Sequence, residues 1–386
     1  MNFSWQVRPR RGSMARIPAC TATMHNTVAG QYKCLSFPNN GDKGRIVVNQ
    51  ASEIESPERL SITPAALSYI KNWIAASDTS VTHPLLFTSS SFSTRGIRHA
   101  FKMTLSIDSE PMWCKEYSNG TDVVWYFENI ENKLTPHTRQ LLETYSNIPP
   151  DQVLSHINTI RDKAWKIRSH MCTGQGIFLI PSMPGHPQHP NILSRLKNGA
   201  SLVDVGAFVG QDLRQLVVDG APSNNMYGVD IVNHWDTGYE MYRDREKFHA
   251  HYIECDILKP SPALKELNGK MDIIWITHVL HQWTWEGQVL AAKTLVNLSR
   301  VGTIVAGYQV GADVAMFAPR TELMKGDSFL HDPESFARMW DEVGAETGSK
   351  WKTTGKLKTT DDMGWTPEDL PTKGRKILEF TAERVE

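Results

Sequence analysis

The sequence predicts an α/β protein built on a mostly parallel sheet of about seven strands, with helices on both faces. Two observations lead to this prediction. From Ser201 onward, short apolar runs alternate with amphipathic helical patterns, which is typical of strands that helices bury on both faces. The segments 350–358 and 376–385 then alternate apolar and polar residues, which indicates a closing antiparallel strand pair.

The residues before the predicted sheet divide into an extension and a helical segment. Residues 1–109 are rich in Ser, Thr, Asn and Pro, and their clearest periodic stretch is Pro64 to Ala75, so we expect an extension with weak local structure. One helical pattern opens at Thr135 and a second follows Pro149. The proline-rich stretch 172–190 predicts a loop that leads into the sheet.

The predicted sheet has clear helix signals between its strands. The predicted parallel strands are the apolar runs 202–205, 226–229, 251–253, 271–276 and 303–306. A helix with Leu213 and Leu216 on one face follows the first strand and stops at Gly220. Asp332 and Pro333 open the last well-marked helix, which we expect to end before Gly344.

The composition excludes several classes of protein. Lys and Arg total 41 against 42 Asp and Glu, so the chain has no basic field for binding nucleic acid. No apolar run approaches the ~20 residues that cross a bilayer. The five cysteines are scattered without a Cys-x-x-Cys pair, and residues 1–41 lack the apolar core of a secretory signal. We therefore expect a cytoplasmic protein without a nucleic-acid partner or a membrane span, and the sequence leaves a homodimer open. No metal is predicted, because zinc-motif spacing is absent from the candidate ligands His170, Cys172, His186 and His189.

A glycine turn carries the strongest functional signal. The segment Val203 to Asp212 reads as a strand, a turn and a helix start, and Gly206 and Gly210 would let the backbone pass close to a ligand. Asp230 ends the next predicted strand, where a carboxylate can accept hydrogen bonds from both hydroxyls of a ribose. The spacing therefore predicts a nucleoside cofactor.

The residues of this turn narrow the choice of nucleoside cofactor. A dinucleotide prefers G-x-G-x-x-G, whereas this turn has Phe208 at the second glycine position, so a pyrophosphate would fit poorly. S-adenosylmethionine has no phosphate. At the end of the third strand, Asp256 would approach the adenine amino group and Ile257 the ring. This arrangement resembles class I S-adenosylmethionine-dependent methyltransferases. The implied cofactor-binding residues are Asp204, Gly206, Ala207, Phe208, Gly210, Asp230, Ile231, Asp256, Ile257 and Thr277.

Further motifs narrow the resemblance to one fungal family. They are Gly210-Gln-Asp-Leu-Arg, Tyr145-Ser-Asn-Ile-Pro-Pro150, Ile160-Arg-Asp-Lys-Ala-Trp165, Gln309-Val-Gly311 and His331-Asp-Pro-Glu-Ser-Phe336. From about Glu110 to the end, the chain resembles the fungal methyltransferases of meroterpenoid pathways such as those of austinol, andrastin and terretonin. This chain departs from the sequence pattern of the family at three places, which are Ala207-Phe208, Leu280-His-Gln-Trp283 and Gly307-Tyr-Gln309.

The resemblance implies a fold, a reaction and a domain organisation. It implies a Rossmann-like sheet over 191–386, a helical lid over 110–190 that covers the acceptor, and an N-terminal extension, 1–109, of unknown role. The implied reaction transfers methyl from S-adenosylmethionine to a carboxylic acid of a terpenoid or polyketide, a small molecule of fungal secondary metabolism.

His278 and His281 are the candidate catalytic residues, because they follow the fourth strand at the acceptor edge. A histidine there would serve as general base for a phenol or polarise a carboxyl group, although a carboxylate needs no base. Arg161 is a candidate to bind the substrate carboxylate, with a surface pair to Asp162 as the alternative. The other candidate substrate-binding residues are Trp165, Gln282, Trp283, Tyr308 and Gln309.

Three alternatives remain open from the sequence. The first is a methyltransferase acting on a phenol or an amine, which would depend on a histidine base. The second is a nicotinamide oxidoreductase on a similar sheet. The third is a non-catalytic protein with a decayed site, for which the departures at Gln282, Trp283 and Tyr308 are the motive.

Overall fold

The computed structural model describes residues 120–319, 327–370 and 374–386, together with the backbone of four short strands near the N-terminus. The chain divides into two compact units, 1–106 and 107–386. The four strands of the first unit form an antiparallel sheet in chain order. They are β1 (Ser4–Gln6), β2 (Thr21–Asn26), β3 (Tyr32–Phe37) and β4 (Gly44–Asn49). The periodic stretch Pro64 to Ala75 lies outside the described residues.

The second unit contains the predicted seven-stranded, mostly parallel sheet. Its strands are β5 (Leu202–Val205), β6 (Met226–Asp230), β7 (His251–Glu254), β8 (Met271–Ile276), β9 (Ser299–Ala312), β12 (Trp351–Lys358) and β13 (Arg375–Arg384). The order across the sheet is β12-β13-β9-β8-β5-β6-β7. Strands β5 to β9 pair in parallel, whereas β13 pairs antiparallel with both β9 and β12. A short hairpin, β10 (Met316–Ala318) and β11 (Ser328–Leu330), lies outside this sheet. The fold class predicted from the sequence is therefore confirmed.

Helices precede and connect the strands. They are α1 (Pro136–Arg139), which continues as a π-helix (Gln140–Tyr145), α2 (Val153–Ile167), α3 (Met171–Gly174), α4 (His189–Lys197), α5 (Gln211–Val218), α6 (Trp235–Tyr242), α7 (Pro262–Lys265), α8 (Trp285–Leu298) and α9 (Pro333–Thr347). The segment 172–190, predicted as a loop, instead contains short turns of helix, because Gly176 in a left-handed conformation restarts a 3-10 turn at Ile177–Leu179. None of the described helices is long and apolar enough to span a membrane.

The last helix starts as predicted but ends later. Asp332 caps α9 by accepting a hydrogen bond from the Ser335 amide at 2.7 Å, and Pro333 is its first residue. Helix α9 runs on past Gly344 to Thr347, and Gly348 provides the left-handed cap. The expected end before Gly344 is thus wrong. That glycine is needed for a close approach instead, because a Cβ atom there would lie 2.6 Å from the Ser349 carbonyl oxygen.

Apolar side chains bury both faces of the sheet. On one face, Val203 and Ile274 pack with α8 and α9, and Trp340 lies fully inside that core. On the other face, Leu202 and Trp275 pack with α4 and α5. A third cluster joins the helices before the sheet to the residues around α5 and α6. Because the helices cover the faces, the carboxyl ends of the parallel strands are left as the place for a ligand.

Candidate active site

A cavity of about 320 Å³ lies at the carboxyl ends of the parallel strands. Its walls come from the ends of β5 and β6, from the turns that follow β5, β6, β7 and β8, and from β9. The segment 168–185 and the connection between β12 and β13 complete them. Predicted site residues that line it are Asp204, Gly206, Phe208, Asp230, Ile231, Asp256, Ile257, Thr277, His278, His281, Gln282, Trp283 and Tyr308. The fold therefore brings both predicted halves of the site, cofactor and acceptor, to one cavity.

The glycine turn is a close-packed piece of backbone. Gly206 has a φ of +82°, and a Cβ atom there would lie 2.4 Å from Cγ2 of Val279. Phe208 also lies in the left-handed region, with a φ of +48°, and its amide N–H donates to Oδ2 of Asp230 at 2.8 Å. The turn is thus joined directly to the carboxylate that ends β6.

Asp230 holds its carboxylate at the cavity wall. Its Oδ1 accepts a hydrogen bond from the Val232 amide at 3.2 Å, and its Oδ2 accepts the one from Phe208. Each carboxylate oxygen can accept a second hydrogen bond, so both retain capacity for a ligand hydroxyl. Burial raises the pKa of Asp230 to about 6, although the backbone hydrogen bonds oppose the shift. Burial, followed by the charges of Asp212 and Asp230, raises the pKa of Asp204.

Aromatic rings cover the turn beside Asp230. The ring of Phe208 meets Phe178 edge-on with centroids 5.3 Å apart, and it lies 4.5 Å from the ring of His234. Burial lowers the pKa of His234 to about 4, so this imidazole is neutral at pH 7. Apolar Ile231 and Ile257 complete this end of the cavity, which suits a nucleoside.

Two neutral histidines, His278 and His281, lie at the end of the cavity away from Phe208 and His234, and we call this the acceptor end. His278 has a φ of +57°, and its amide donates to the Tyr308 carbonyl at 2.7 Å. Its ring packs on Trp365 with centroids 4.9 Å apart. Burial lowers the pKa of His278 to about 4. Burial, followed by the influence of His278 and Arg375, lowers the pKa of His281 well below its usual value. Buried polar atoms without a hydrogen-bond partner at this end are Thr277 Oγ1, His278 Nε2, His281 Nδ1 and Trp283 Nε1.

Comparisons with known proteins identify the family. Residues 125–179 match the model described as the meroterpenoid methyltransferase N-terminal domain. The O-methyltransferase atr3 of Stereocaulon alpinum is 36% identical over 280 residues, covering 71% of this chain and 80% of that protein. This chain belongs to the family of fungal meroterpenoid methyltransferases. The asnovolin E/chermesin D methyltransferase nvfJ of Aspergillus novofumigatus is 33% identical over 242 residues, covering 60% of this chain and 87% of that protein.

The methyltransferase also resembles solved structures at the level of the fold. A 1,6-didemethyltoxoflavin-N1-methyltransferase of Burkholderia thailandensis overlays with a TM-score of 0.41 at 12% identity, over 62% of this chain and 92% of that one. The segment matched by the family model, 125–179, contributes His170 and Phe178 to the cavity of the methyltransferase.

Five predicted site residues of the methyltransferase do not line the cavity. Arg161 donates to the Phe127 carbonyl at 2.6 Å and to Asp162 at 2.9 Å, which is the alternative pairing, so its guanidinium is not available to a substrate. Trp165 donates to the Gly120 carbonyl at 3.1 Å. The remaining three are Ala207, Gly210 and Gln309.

These three residues are held away from the cavity by local geometry. Gly210 has a φ of +69° and precedes α5, where a Cβ atom would lie 2.7 Å from Nη1 of Arg214. Ala207 is buried in the core of one sheet face. Gln309 points to the opposite side of β9 from Tyr308 and Val310, since side chains alternate along a strand.

Several residues that line the cavity escaped the sequence analysis. Met363, Trp365 and Leu370 lie on the connection between β12 and β13, and Arg375 is the first residue of β13. That connection is held against the rest of the methyltransferase by a fully buried ion pair between Lys133 and Asp369. No local sequence pattern predicts such a long-range contact. Arg375 did carry a signal in the sequence, because it is a charged residue at the start of a predicted strand.

Proposed function

We propose that this methyltransferase uses S-adenosylmethionine to methylate a carboxylic acid of a terpenoid or polyketide intermediate in fungal secondary metabolism. The family supports methyl transfer, and the contacts of the cavity support the cofactor and the acceptor class. When bound, S-adenosylmethionine supplies an electrophilic methyl group on a sulfonium sulfur.

The cofactor end fits a nucleoside of this kind. Asp230 would accept hydrogen bonds from the two ribose hydroxyls, and Ile231 and Ile257 would flank the adenine. Gly206 leaves no side chain between the turn and Val279, where a Cβ atom would collide. Phe208 occupies the position at which a dinucleotide fold keeps a glycine for its pyrophosphate. These features favour S-adenosylmethionine over a nicotinamide dinucleotide.

The single observation that carries the acceptor class is the weak basicity of the acceptor end. The pKa of His278 is about 4, whereas a phenol titrates at about 10, so proton transfer between them would cost ~8 kcal/mol. Burial raises the pKa of the Cys172 thiol to about 12, so this thiol is already protonated at pH 7 and cannot accept a proton from the acceptor. A carboxylic acid is already ionised at neutral pH and needs no proton acceptor.

The residues of the chain would then act by orientation. Ordering two reactants in line can supply ~7 to 11 kcal/mol, without any proton transfer. Thr277, His278 and Trp283 line the cavity, and each has a buried polar atom without a hydrogen-bond partner that an oxygen atom of the acceptor would satisfy. Trp365 would give the body of the acceptor an apolar surface. The two nearby carboxylates do not compete, because Asp369 is paired with Lys133 and Asp362 accepts hydrogen bonds from Thr359.

Two measurements test this function. Calorimetric titration is expected to show binding of S-adenosylhomocysteine and none of NAD. For the acceptor, we would compare farnesylated 2,4-dihydroxybenzoic acid with its methyl ester, which keeps both phenols but has no free acid. We expect methylation of the acid at its carboxyl group and no turnover of the ester, read by mass spectrometry of the products. Methylation of the ester on a phenol would contradict the proposal and favour the phenol alternative.

A histidine variant tests whether the reaction uses a general base. His281→Gln keeps a polar side chain of similar reach but cannot act as a base. We expect this variant to retain turnover of the acid within about tenfold, because general-base catalysis, which contributes 10²- to 10⁴-fold where it operates, is not required. A loss in that larger range would show that a proton is removed in the reaction.

A further inference from the structure

One charged side chain in the cavity has no role in the function proposed so far. Arg375 opens β13 opposite Ala312 of β9, and its side chain is partly buried at the cavity wall. It lies at the acceptor end, since its charge contributes to the lowered pKa of His281. Arg168, the other arginine of the wall, instead influences His234 beside Phe208. The two guanidinium groups therefore serve different ends of the cavity.

Arg375 differs from the two buried arginines, Arg161 and Arg214, in having no acidic partner among the described residues. Arg214 makes a fully buried pair with Asp244, at 2.6 and 3.0 Å, and Arg161 is paired with Asp162. Within the ranges that the structure describes, Arg375 makes no ion pair, and its Nε is buried without a hydrogen-bond partner. Burial is the sole cause that shifts its pKa, which it lowers, so no carboxylate compensates the charge.

An arginine keeps its charge in such a setting, because its pKa is far above neutrality. The cost of holding it at an apolar wall without a partner is recovered when an anion binds there. His281, whose pKa the charge of Arg375 helps to lower, is neutral, and burial raises the pKa of the Tyr308 hydroxyl at the same end of the cavity. The carboxylates of Asp362 and Asp369, which also line the cavity, are engaged with Thr359 and Lys133, and neither shifts the pKa of Arg375. The planar fork of a guanidinium matches a carboxylate through two parallel hydrogen bonds.

We propose that Arg375 is the residue that binds the carboxylate of the methyl acceptor and distinguishes the acid from its methyl ester. This inference rests on the proposed function and names the contact that selects its substrate. It transfers to Arg375 the role that the sequence suggested for Arg161, whose guanidinium is already engaged.

The reaction balances with Arg375 in this place. One carboxylate oxygen forms the new bond to the methyl carbon while the carbon–sulfur bond breaks and its electron pair stays on sulfur. No proton moves, and the acceptor changes from an anion to a neutral ester. The ester has lost the charge that paired with Arg375, so the contact that recruits the acid also favours release of the product.

The test measures binding as well as turnover. We would determine dissociation constants for farnesylated 2,4-dihydroxybenzoic acid, for its methyl ester and for S-adenosylhomocysteine by calorimetry. The variants are Arg375→Met, which removes the charge, and Arg375→Lys, which keeps the charge but loses the fork. Arg245→Met, an exposed arginine paired with Asp236 on α6, is the matched control.

We expect Arg375→Met to weaken binding of the acid on the order of 30-fold and to leave the ester within about twofold. The affinity of Arg375→Lys for the acid should lie between those of Arg375→Met and the native protein. The affinity of the control Arg245→Met should match that of the native protein. The loss in turnover of the acid should appear mainly in KM. Affinity for S-adenosylhomocysteine should not change, and the melting temperature should stay level or rise, because an unpaired charge has been removed.

Three results would overturn the proposal. The first is that Arg375→Met weakens binding of the acid and of the ester equally. The second is that this variant also binds S-adenosylhomocysteine more weakly. The third is that the native protein does not bind the acid more tightly than the ester. Failure of the proposed function is separate, since it would appear as phenol methylation of the ester by the native protein. Preference for the acid in calorimetry, and its loss in Arg375→Met, would still be measurable in that case.

Discussion

The proposed role of Asp230 predicts that cofactor binding depends on pH. In the proposed function its carboxylate accepts hydrogen bonds from both ribose hydroxyls and has to be ionised to do so, whereas burial raises its pKa in the free protein to about 6. At pH 7 about ten molecules in eleven carry the ionised group, and at pH 5 about one in eleven. We therefore expect S-adenosylhomocysteine to bind about tenfold more weakly at pH 5 than at pH 7.

Asp230→Asn removes the titrating group while keeping its shape. Asparagine retains one acceptor oxygen but loses the charge, and a hydrogen bond to a charged group contributes ~1.5 to 3 kcal/mol. The variant should bind S-adenosylhomocysteine about 10- to 150-fold more weakly at pH 7, and its affinity should lose the dependence on pH that the carboxylate causes. Calorimetry at pH 5, 6 and 7 measures both effects. Asp236→Asn, which changes an exposed carboxylate on α6, is the control and should behave as the native protein does.

The same group affects folding stability in a predictable direction. Because the folded-state pKa of Asp230 is raised above its ordinary value near ~4, its contribution to stability is present below pH ~4 and is lost as the pH rises through about 6. Asp230→Asn should lack this decline in the free energy of unfolding, measured in urea without ligand. The reasoning would be refuted if the variant bound S-adenosylhomocysteine as the native protein does, or if the two proteins had the same pH profile.

Three further predictions concern the rest of the site. In the protein without ligand, NMR titration of the His278 ring should give a midpoint near pH 4; a midpoint near 6.5 would contradict its burial. Gly206→Ala should abolish measurable binding of S-adenosylhomocysteine and lower the melting temperature, because the new Cβ would lie 2.4 Å from Val279 at a φ of +82°; calorimetry and thermal unfolding that match the native protein would show that the turn has room. Asp369→Asn leaves Lys133 charged and buried, so it should lower the free energy of unfolding by ~3 to 5 kcal/mol in urea, and adding Lys133→Met should recover part of the loss; an unchanged midpoint in the single variant would contradict this.

The parallel sheet and its ligand-binding edge were predictable because their signals are local. An apolar run of four to six residues, such as β5 or β8, is buried wherever helices cover both faces, and a glycine turn directly after β5 exposes its backbone at one edge. Asp230 is the last residue of β6, and Asp256 and His278 closely follow the ends of β7 and β8. Topology alone therefore brings them to the same edge, and this does not depend on how the side chains pack.

Local signals were misleading where a second contact decides the outcome. Gly344 matches the pattern of a helix end, yet it lies inside α9 because the backbone at Ser349 packs against it. Arg161 has the right chemistry for a carboxylate, but its guanidinium is satisfied by Phe127 and Asp162. In both cases a sequence pattern shows what a residue is able to do, and the contacts it makes in the folded chain determine what it does.

The fold class, the glycine turn after β5 and the family of this methyltransferase could all be predicted from the sequence, because each depends on residues close together in the chain. The side chains that form the acceptor end of the cavity, in contrast, could be identified only from the folded chain. The connection between β12 and β13 lines the cavity and contributes Trp365. The antiparallel register of β13 on β9 places Arg375 opposite Ala312. These placements depend on long-range pairing and on one buried ion pair, and no spacing along the chain encodes them.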